Sequence, residues 1–178
     1  MRAAMGFLIA LVFGLGNCAS GKMSADGPYR GQVLDADTRK PLSGVLVVVI
    51  WERGVYSPRT KATTDELLAV ETHSDAEGRF EVSGDPGTHL EPFVTDVRPK
   101  GIIFFAPEYV QEGIDVKPGT KRFRDPTRIY MKRVKNAADA LDLGLAPSFP
   151  YDRTPLLLET LNQERARLGL PLIQSGKQ

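Results

Sequence analysis

Short apolar runs, separated by turn-forming residues, dominate the middle of the chain. Runs that alternate with period two or are rich in β-branched residues predict strands, and Gly, Pro and Asp between them predict turns. The pattern predicts about seven strands, at residues 29–35, 45–51, 69–74, 79–83, 101–106, 109–116 and 128–134. No helical pattern lies between these strands, which favours an all-β sandwich over a parallel α/β sheet.

Two of the connections between the predicted strands have distinctive sequences. Residues 53–68 are polar and are predicted as a long connection between strands. Residues 75–78 (DAEG) are predicted as a tight turn, because Gly78 is free to adopt positive φ. The strands on either side of this turn are expected to pair with each other as a hairpin.

The chain changes to a helical pattern after residue 134. Residues 137–143 are predicted as a short helix. Thr154 and Pro155 predict the start of a longer helix over 156–168, with the Thr154 hydroxyl as its N-terminal cap. The leucines of this second helix fall on one stripe, at Leu157, Leu161 and Leu168.

The predicted strands at 45–51 and 101–106 are apolar on both faces. A sandwich strand normally turns one face to the core and the other to water, so a second layer is expected on the outer side of these two strands. The C-terminal helix is the expected cover, with a dimer or partner surface as the alternative.

The N-terminal region has the pattern of an export signal. Arg2 precedes an uncharged apolar run over residues 5–15. This run has the length of a signal-peptide core and is shorter than the about 20 residues that span a bilayer. We therefore expect a signal peptide at 1–17, a polar tether at 18–28, the β-sandwich at 29–134, and a helical tail at 135–178 that packs on the sandwich.

The residues that follow the apolar run resemble the lipobox of bacterial lipoproteins. Leu15 lies three residues before Cys18, although Asn17 stands where that motif usually has a smaller residue. The resemblance implies cleavage before Cys18 and a diacylglycerol on its sulfur. Because Ala19 rather than Asp follows, it implies an outer-membrane anchor with the protein facing the periplasm. Ordinary cleavage near Gly21, giving a free periplasmic or secreted protein, is the alternative.

Composition and charge exclude several classes of protein. A single cysteine in 178 residues excludes a disulfide scaffold, and a net charge of +1 argues against a nucleic-acid partner. The charges are segregated, because residues 65–96 hold nine acidic residues and one basic residue, whereas 117–135 hold eight basic and one acidic. The two stretches either face each other or leave a basic patch for an anionic lipid or acidic partner. The predicted patch consists of Lys121, Arg122, Arg124, Arg128, Lys132 and Arg133.

Three segments resemble the carboxypeptidase regulatory-like domain. Residues 31–35 (GQVLD) match its G-x-V-x-D opening, and 38–45 (TRKPLSGV) match T-x-x-P-L-x-G-A/V before an apolar strand. Residues 72–80 (THSDAEGRF) match its T-D-x-x-G-x-F hairpin with two inserted residues. The resemblance implies an all-β, seven-strand Greek-key sandwich of the transthyretin type. It also implies a binding, folding-support or spacer module, because these motifs specify a fold and not a reaction.

His73 and His89 are the candidates for chemistry. The segment 73–75 (HSD) contains the residue types of a catalytic triad, but neighbouring residues on a strand point to opposite faces. Neither histidine lies in a spacing typical of zinc ligands. We therefore expect no catalytic residues, no metal site and no cofactor. A small hydrolase or metal-dependent enzyme, with both histidines and nearby carboxylates in one cleft, is the alternative.

A carbohydrate-binding module is a further alternative. It requires a row of exposed aromatic side chains, and the candidates Trp51, Tyr56, Tyr109 and Tyr151 are scattered along the sequence. The sequence favours a non-enzymatic envelope protein instead, anchored to a membrane through Cys18 and acting through contacts with an envelope protein.

Overall fold

The computed structural model describes residues 27–83, 93–116, 127–135 and 151–174. This part of the chain is mostly β, with seven strands, one 3-10 turn at Tyr151–Arg153 and one α-helix. The strands are β1 (Tyr29–Asp35), β2 (Leu46–Ser57), β3 (Ala62–His73), β4 (Arg79–Val82), β5 (Val94–Phe105), β6 (Glu112–Asp115) and β7 (Thr127–Met131), and the helix is α1 (Pro155–Arg167). No helix among these residues is long and apolar enough to cross a membrane.

The strands form two sheets. One has three strands in the order β4-β1-β7, and the other has four strands in the order β3-β2-β5-β6. β1 pairs with β7 in parallel and with β4 antiparallel, and the neighbours in the four-stranded sheet are all antiparallel. The chain passes between the sheets after β1, β3, β4 and β6. The predicted two-sheet, mostly β architecture is therefore present.

Alternating residues of the two sheets share one core. Phe104 of β5 and Phe80 of β4 meet edge to face at 5.3 Å between ring centroids, and Tyr29 of β1 lies 6.1 Å from Trp51 of β2. Other core residues from the two sheets include Val33, Val47, Val49, Val82, Ile102, Ile129 and Met131. Since both sheets contribute to it, this cluster holds the layers together.

The other face of β2 and β5 is covered by α1. The outward residues of the two strands are Leu46, Val48, Ile50, Ile103 and Phe105, and all are buried. They pack with Leu157 and Leu161, which are fully buried, whereas the third residue of the predicted stripe, Leu168, is only partly buried. The apolar character of both faces thus follows from a core on one side and a helix on the other.

The N-terminus of α1 is not capped as the sequence predicts. The Thr154 hydroxyl makes no capping hydrogen bond. Instead, the Glu71 carboxylate on β3 accepts the backbone N–H groups of Leu156 at 3.1 Å and Leu157 at 2.7 Å. A carboxylate at this position satisfies two of the free N–H groups and complements the helix dipole. Glu71 therefore joins the helix to an edge strand, a role that its sequence neighbourhood does not indicate.

The prediction of a polar connection at 53–68 is wrong. β2 and β3 continue through it as one long ladder and join at a four-residue turn, 58–61. The polar side chains are accommodated as cross-strand pairs, such as Arg53 with Glu66 at 2.8 Å and Glu52 with Arg98 at 3.3 Å. Polar residues on a solvated ladder do not alternate with apolar ones, so the period-two signal is lost.

The predicted hairpin around residues 75–78 is also wrong in its pairing. The tight turn is present, with the Gly78 N–H donating to the Asp75 carbonyl at 2.9 Å. However, β4 pairs with β1 in the three-stranded sheet, while β3 belongs to the other sheet. The turn therefore connects two layers rather than two paired strands. The predicted signal peptide and the short helix at 137–143 lie outside the described residues.

Candidate functional site

The predicted basic patch lies only partly within the described residues. Arg128, Lys132 and Arg133 are described and exposed. Lys121, Arg122 and Arg124 lie outside the described residues, as do His89 and the predicted lipidation residue, Cys18. Of the described members, Arg133 forms an ion pair with Asp35, whereas Arg128 lines a pocket against the three-stranded sheet.

Arg133 is held by the carboxylate of Asp35. Its Nε lies 3.4 Å from Oδ2 of Asp35, and its guanidinium lies 5.2 Å from the centre of the Tyr109 ring. The same Oδ2 accepts the Tyr109 hydroxyl at 2.9 Å, while Oδ1 accepts the N–H groups of Asp37 at 3.0 Å and Thr38 at 2.8 Å. Arg133 therefore supports the turn after β1 and is not an unpaired cation.

The hydrogen bonds to Asp35 favour its ionised form. The Thr38 N–H is the largest cause and the Tyr109 hydroxyl the next, and together they hold the pKa of Asp35 well below its usual range. Burial of the phenol and the neighbouring Asp35 carboxylate raise the pKa of Tyr109. Asp35, the last residue of the G-x-V-x-D segment, is thus a structural residue at the end of β1.

We expect Asp35→Asn to reduce the dependence of stability on acid. The folded-state pKa of Asp35 is lowered, so its contribution is fully present above its unfolded-state pKa of about 4 and is lost as the pH falls below that value. Urea unfolding midpoints measured from pH 6 down to pH 2 would show a shallower fall for Asp35→Asn than for the natural chain. Tyr109→Phe, which removes one donor and keeps both backbone bonds, should lie between them. An Asn variant as acid-sensitive as the natural chain would contradict this role.

An open pocket of about 510 Å³ lies against the three-stranded sheet. Arginines from all three strands line it, Arg30 from β1, Arg79 from β4 and Arg128 from β7, together with Gln32 and Thr127. His73, at the end of β3, also lines the pocket, and its acidic lining residues are Asp75 and Glu81. The predicted patch residue Arg128 thus joins two arginines that lie far from it in sequence.

The strand register places three of these side chains in one row. Gln32 of β1 is paired with Arg79 of β4 on one side and with Arg128 of β7 on the other. Residues directly opposite each other project from the same face of a sheet, and here both arginines are exposed. Because adjacent strands are about 4.8 Å apart, the two arginine backbones are separated by about 10 Å.

Some of the charged side chains that line the pocket form ion pairs within the described residues, and others do not. Arg30 Nη2 donates to Glu81 Oε1 at 2.8 Å, and this hydrogen bond lowers the pKa of Glu81. Asp75 Oδ1 accepts the backbone N–H groups of Glu77 and Arg79, which closes the turn before β4. No carboxylate among the described residues forms an ion pair with Arg79 or Arg128. Two guanidinium groups therefore flank Gln32 without a carboxylate partner in this part of the chain.

The residues of the possible triad have other roles. Ser74 is buried, and its hydroxyl donates to the Leu42 carbonyl at 2.7 Å and accepts the Val45 N–H at 2.9 Å. Ser74 therefore stabilises the turn that leads into β2. His73 lines the pocket, and Asp75 closes the turn before β4. Among the described residues there is no group of three or more His, Cys, Asp or Glu side chains able to hold a metal ion.

The aromatic residues considered for glycan binding lie in different environments. Trp51 is in the core, Tyr109 binds Asp35, and Tyr151 packs in the cluster beneath α1. Tyr56 is exposed near the end of the hairpin formed by β2 and β3. These four described residues do not form a row.

Sequence reasoning missed Arg30 and Arg79. Arg79 is the one basic residue in the acidic stretch 65–96, and alternation along 79–82 places it on the same side as Glu81. Its relation to Arg128 depends on β1 lying between β4 and β7, which no local pattern indicates. Comparison of the chain with protein-family models, curated proteins and solved structures finds no match.

Proposed function

We propose that this protein is a non-enzymatic binding module of the bacterial envelope, and that its three-stranded sheet binds an acidic segment of a partner protein. The observation that carries the proposal is the pair of guanidinium groups, Arg79 and Arg128, on either side of Gln32. Guanidinium groups bind carboxylates through two parallel hydrogen bonds. The Gln32 amide between them donates one N–H to the Glu77 carbonyl at 2.9 Å and has a second N–H that can donate to a carboxylate. Two carboxylates on one acidic segment would satisfy both arginines.

The finer fold proposed for the module is a Greek-key sandwich of the transthyretin type, as in the carboxypeptidase regulatory-like domain. The order of the strands and the four crossings between sheets support it. The motif residues support it as well, because Gly44 and Gly78 lie in turns between the two layers and Asp35, at the end of β1, accepts N–H groups of the turn that follows it. These roles account for the motifs through folding, which agrees with a module that has no reaction of its own.

The proposed location follows from the first 28 residues. Cleavage before Cys18 and acylation of its sulfur would anchor the chain at the outer membrane, facing the periplasm. The tether then holds the sandwich close to the bilayer, where an envelope protein with an exposed acidic segment is within reach. One acyl modification site fits a protein that lies on a membrane rather than across it.

A polyglutamate peptide provides a direct probe of the proposed site. We expect Arg79→Ala/Arg128→Ala to weaken its binding at low salt by roughly tenfold, since each exposed charge pair contributes up to about 1 kcal/mol. The readout is NMR titration, in which the arginine side-chain signals of the natural chain should shift.

A variant with the same change in charge separates this site from general attraction. Lys132→Ala/Lys135→Ala removes two exposed cations from the same basic stretch and leaves the pocket intact. It should retain most of the binding. Equal weakening by both double variants, or no binding of the peptide to the natural chain at low salt, would overturn the proposed site.

A further inference from the structure

Part of the four-stranded sheet projects beyond the three-stranded one. β1 begins at Tyr29, beside Trp51, whereas β2 continues from there to Ser57. At 3.3 Å per residue, residues 52–57 extend about 20 Å past the start of β1. We call residues 52–67 and 93–99 the arm, and its outer end, residues 56–63 with Phe93, the tip.

The tip exposes two aromatic side chains. Tyr56 is 37% exposed and Phe93 is 56% exposed, and the Tyr56 N–H donates to the Phe93 carbonyl at 2.8 Å. Phe93 also has a φ of 72°, a conformation that is unfavourable for a bulky residue. Packing among the described residues does not cover the Phe93 ring, which is therefore available for a contact outside the chain.

The charge of the tip is positive. Arg59 and Lys61 are exposed in the turn 58–61, and residues 56–63 contain no acidic side chain. Aromatic rings beside lysine or arginine are typical of surfaces that lie at the headgroup level of a bilayer. Each basic side chain near an anionic bilayer adds favourable electrostatic energy.

The N-terminal segment leaves the sandwich at the same end as the tip. Tyr29, where β1 begins, lies beside Trp51, from which the arm extends. Only ten residues separate Cys18 from Tyr29, and the eleven Cα-to-Cα steps between them reach at most about 40 Å when fully extended. A chain anchored at Cys18 would therefore keep this end near the membrane, and the 20 Å arm is long enough to bridge much of the gap.

We propose that the tip of the arm docks on the anionic surface of the bilayer that holds the Cys18 anchor. The proposal rests on the membrane anchor of the proposed function, and it adds how the module is oriented on the bilayer. The arm contacts the headgroups through Tyr56, Phe93, Arg59 and Lys61, so that the module stands on the membrane at two points.

The test uses tryptophan as a depth probe in the anchored protein. The mature protein is purified from the membrane fraction, and its intact mass shows whether Cys18 carries acyl chains. Phe93→Trp and Leu172→Trp variants are then reconstituted in vesicles of phosphatidylcholine and phosphatidylglycerol, with and without brominated acyl chains. Leu172 is a matched control, because it is 58% exposed and lies after α1 rather than at the tip. Trp51, at 1% exposure, gives the same background in both.

We expect brominated lipid to quench Phe93→Trp, with a blue-shifted emission, and to leave Leu172→Trp unchanged. Adding Arg59→Ser/Lys61→Ser to the Phe93→Trp variant should remove most of that quenching and its salt dependence. An acylated protein in which neither probe or both probes are quenched would overturn docking and leave the anchor in place. An unacylated mass would overturn both. A concentration-dependent blue shift of Phe93→Trp without vesicles would show that a second copy covers the tip instead.

Discussion

Adding one methyl group at Gly78 is expected to lower the free energy of unfolding by about 3 kcal/mol, since it combines left-handed backbone strain with overpacking. Gly78 has a φ of +70°, and a Cβ there would lie 2.5 Å from the Val33 carbonyl oxygen. That oxygen accepts the Leu42 N–H at 3.0 Å, while the Val33 N–H donates to the Gly78 carbonyl at 2.8 Å. The added methyl group therefore displaces backbone atoms that join β1 to the two neighbouring turns.

Gly44→Ala is the matched control for Gly78→Ala. Gly44 has nearly the same φ, +72°, but a Cβ at this position meets nothing within 4 Å. Its substitution should cost only the backbone term, about 1 kcal/mol. Urea unfolding of both variants measures the difference, which isolates the contact with Val33. Equal destabilisation by the two substitutions would show that the close approach at Gly78 is relieved without cost.

The sequence predicts the core strands well and the solvated strands badly. The bounds of β1 are predicted without error because its apolar residues alternate and a turn follows at once. The arm is missed because many of its residues are only partly buried, so charged pairs such as Arg53 with Glu66 replace the alternating pattern. Local patterns report burial, and a strand with little burial gives a weak signal.

Partners that are distant in sequence account for the other errors. The turn at 75–78 is predicted correctly, but the strand that pairs with β4 is not. Phe80 of β4 packs against Phe104 in the core, and in that position β4 lies beside β1 and pairs with it. Likewise, only the packing of α1 on the four-stranded sheet brings Glu71 to the helix N-terminus. Arg128 could be predicted as part of a basic surface, whereas Arg79 becomes part of the same pocket only through the strand order.

Leu161→Ala is expected to lower the free energy of unfolding by about 3 kcal/mol, the middle of the range for a fully buried leucine. Leu161 has no exposed surface and packs on the outer face of β2 and β5, with Val48 and Phe105 in the same cluster. Leu156→Ala is the control, because Leu156 lies on the same helix and is 37% exposed. Both substitutions replace leucine by alanine on the same helix, and the propensity change is small beside the burial term, so the difference between their urea midpoints measures mainly the burial beneath α1.

The same variant tests whether α1 is an obligatory layer of the fold. If the helix covers the apolar outer face, weakening its contact should increase the binding of a hydrophobic dye at urea concentrations below the main unfolding transition. Leu156→Ala should show no such increase. Equal midpoints for the two variants, with no dye binding by either, would mean that the outer face of β2 and β5 does not need the helix. The apolar residues on that face would then require another explanation, such as the dimer surface that the sequence leaves as its alternative.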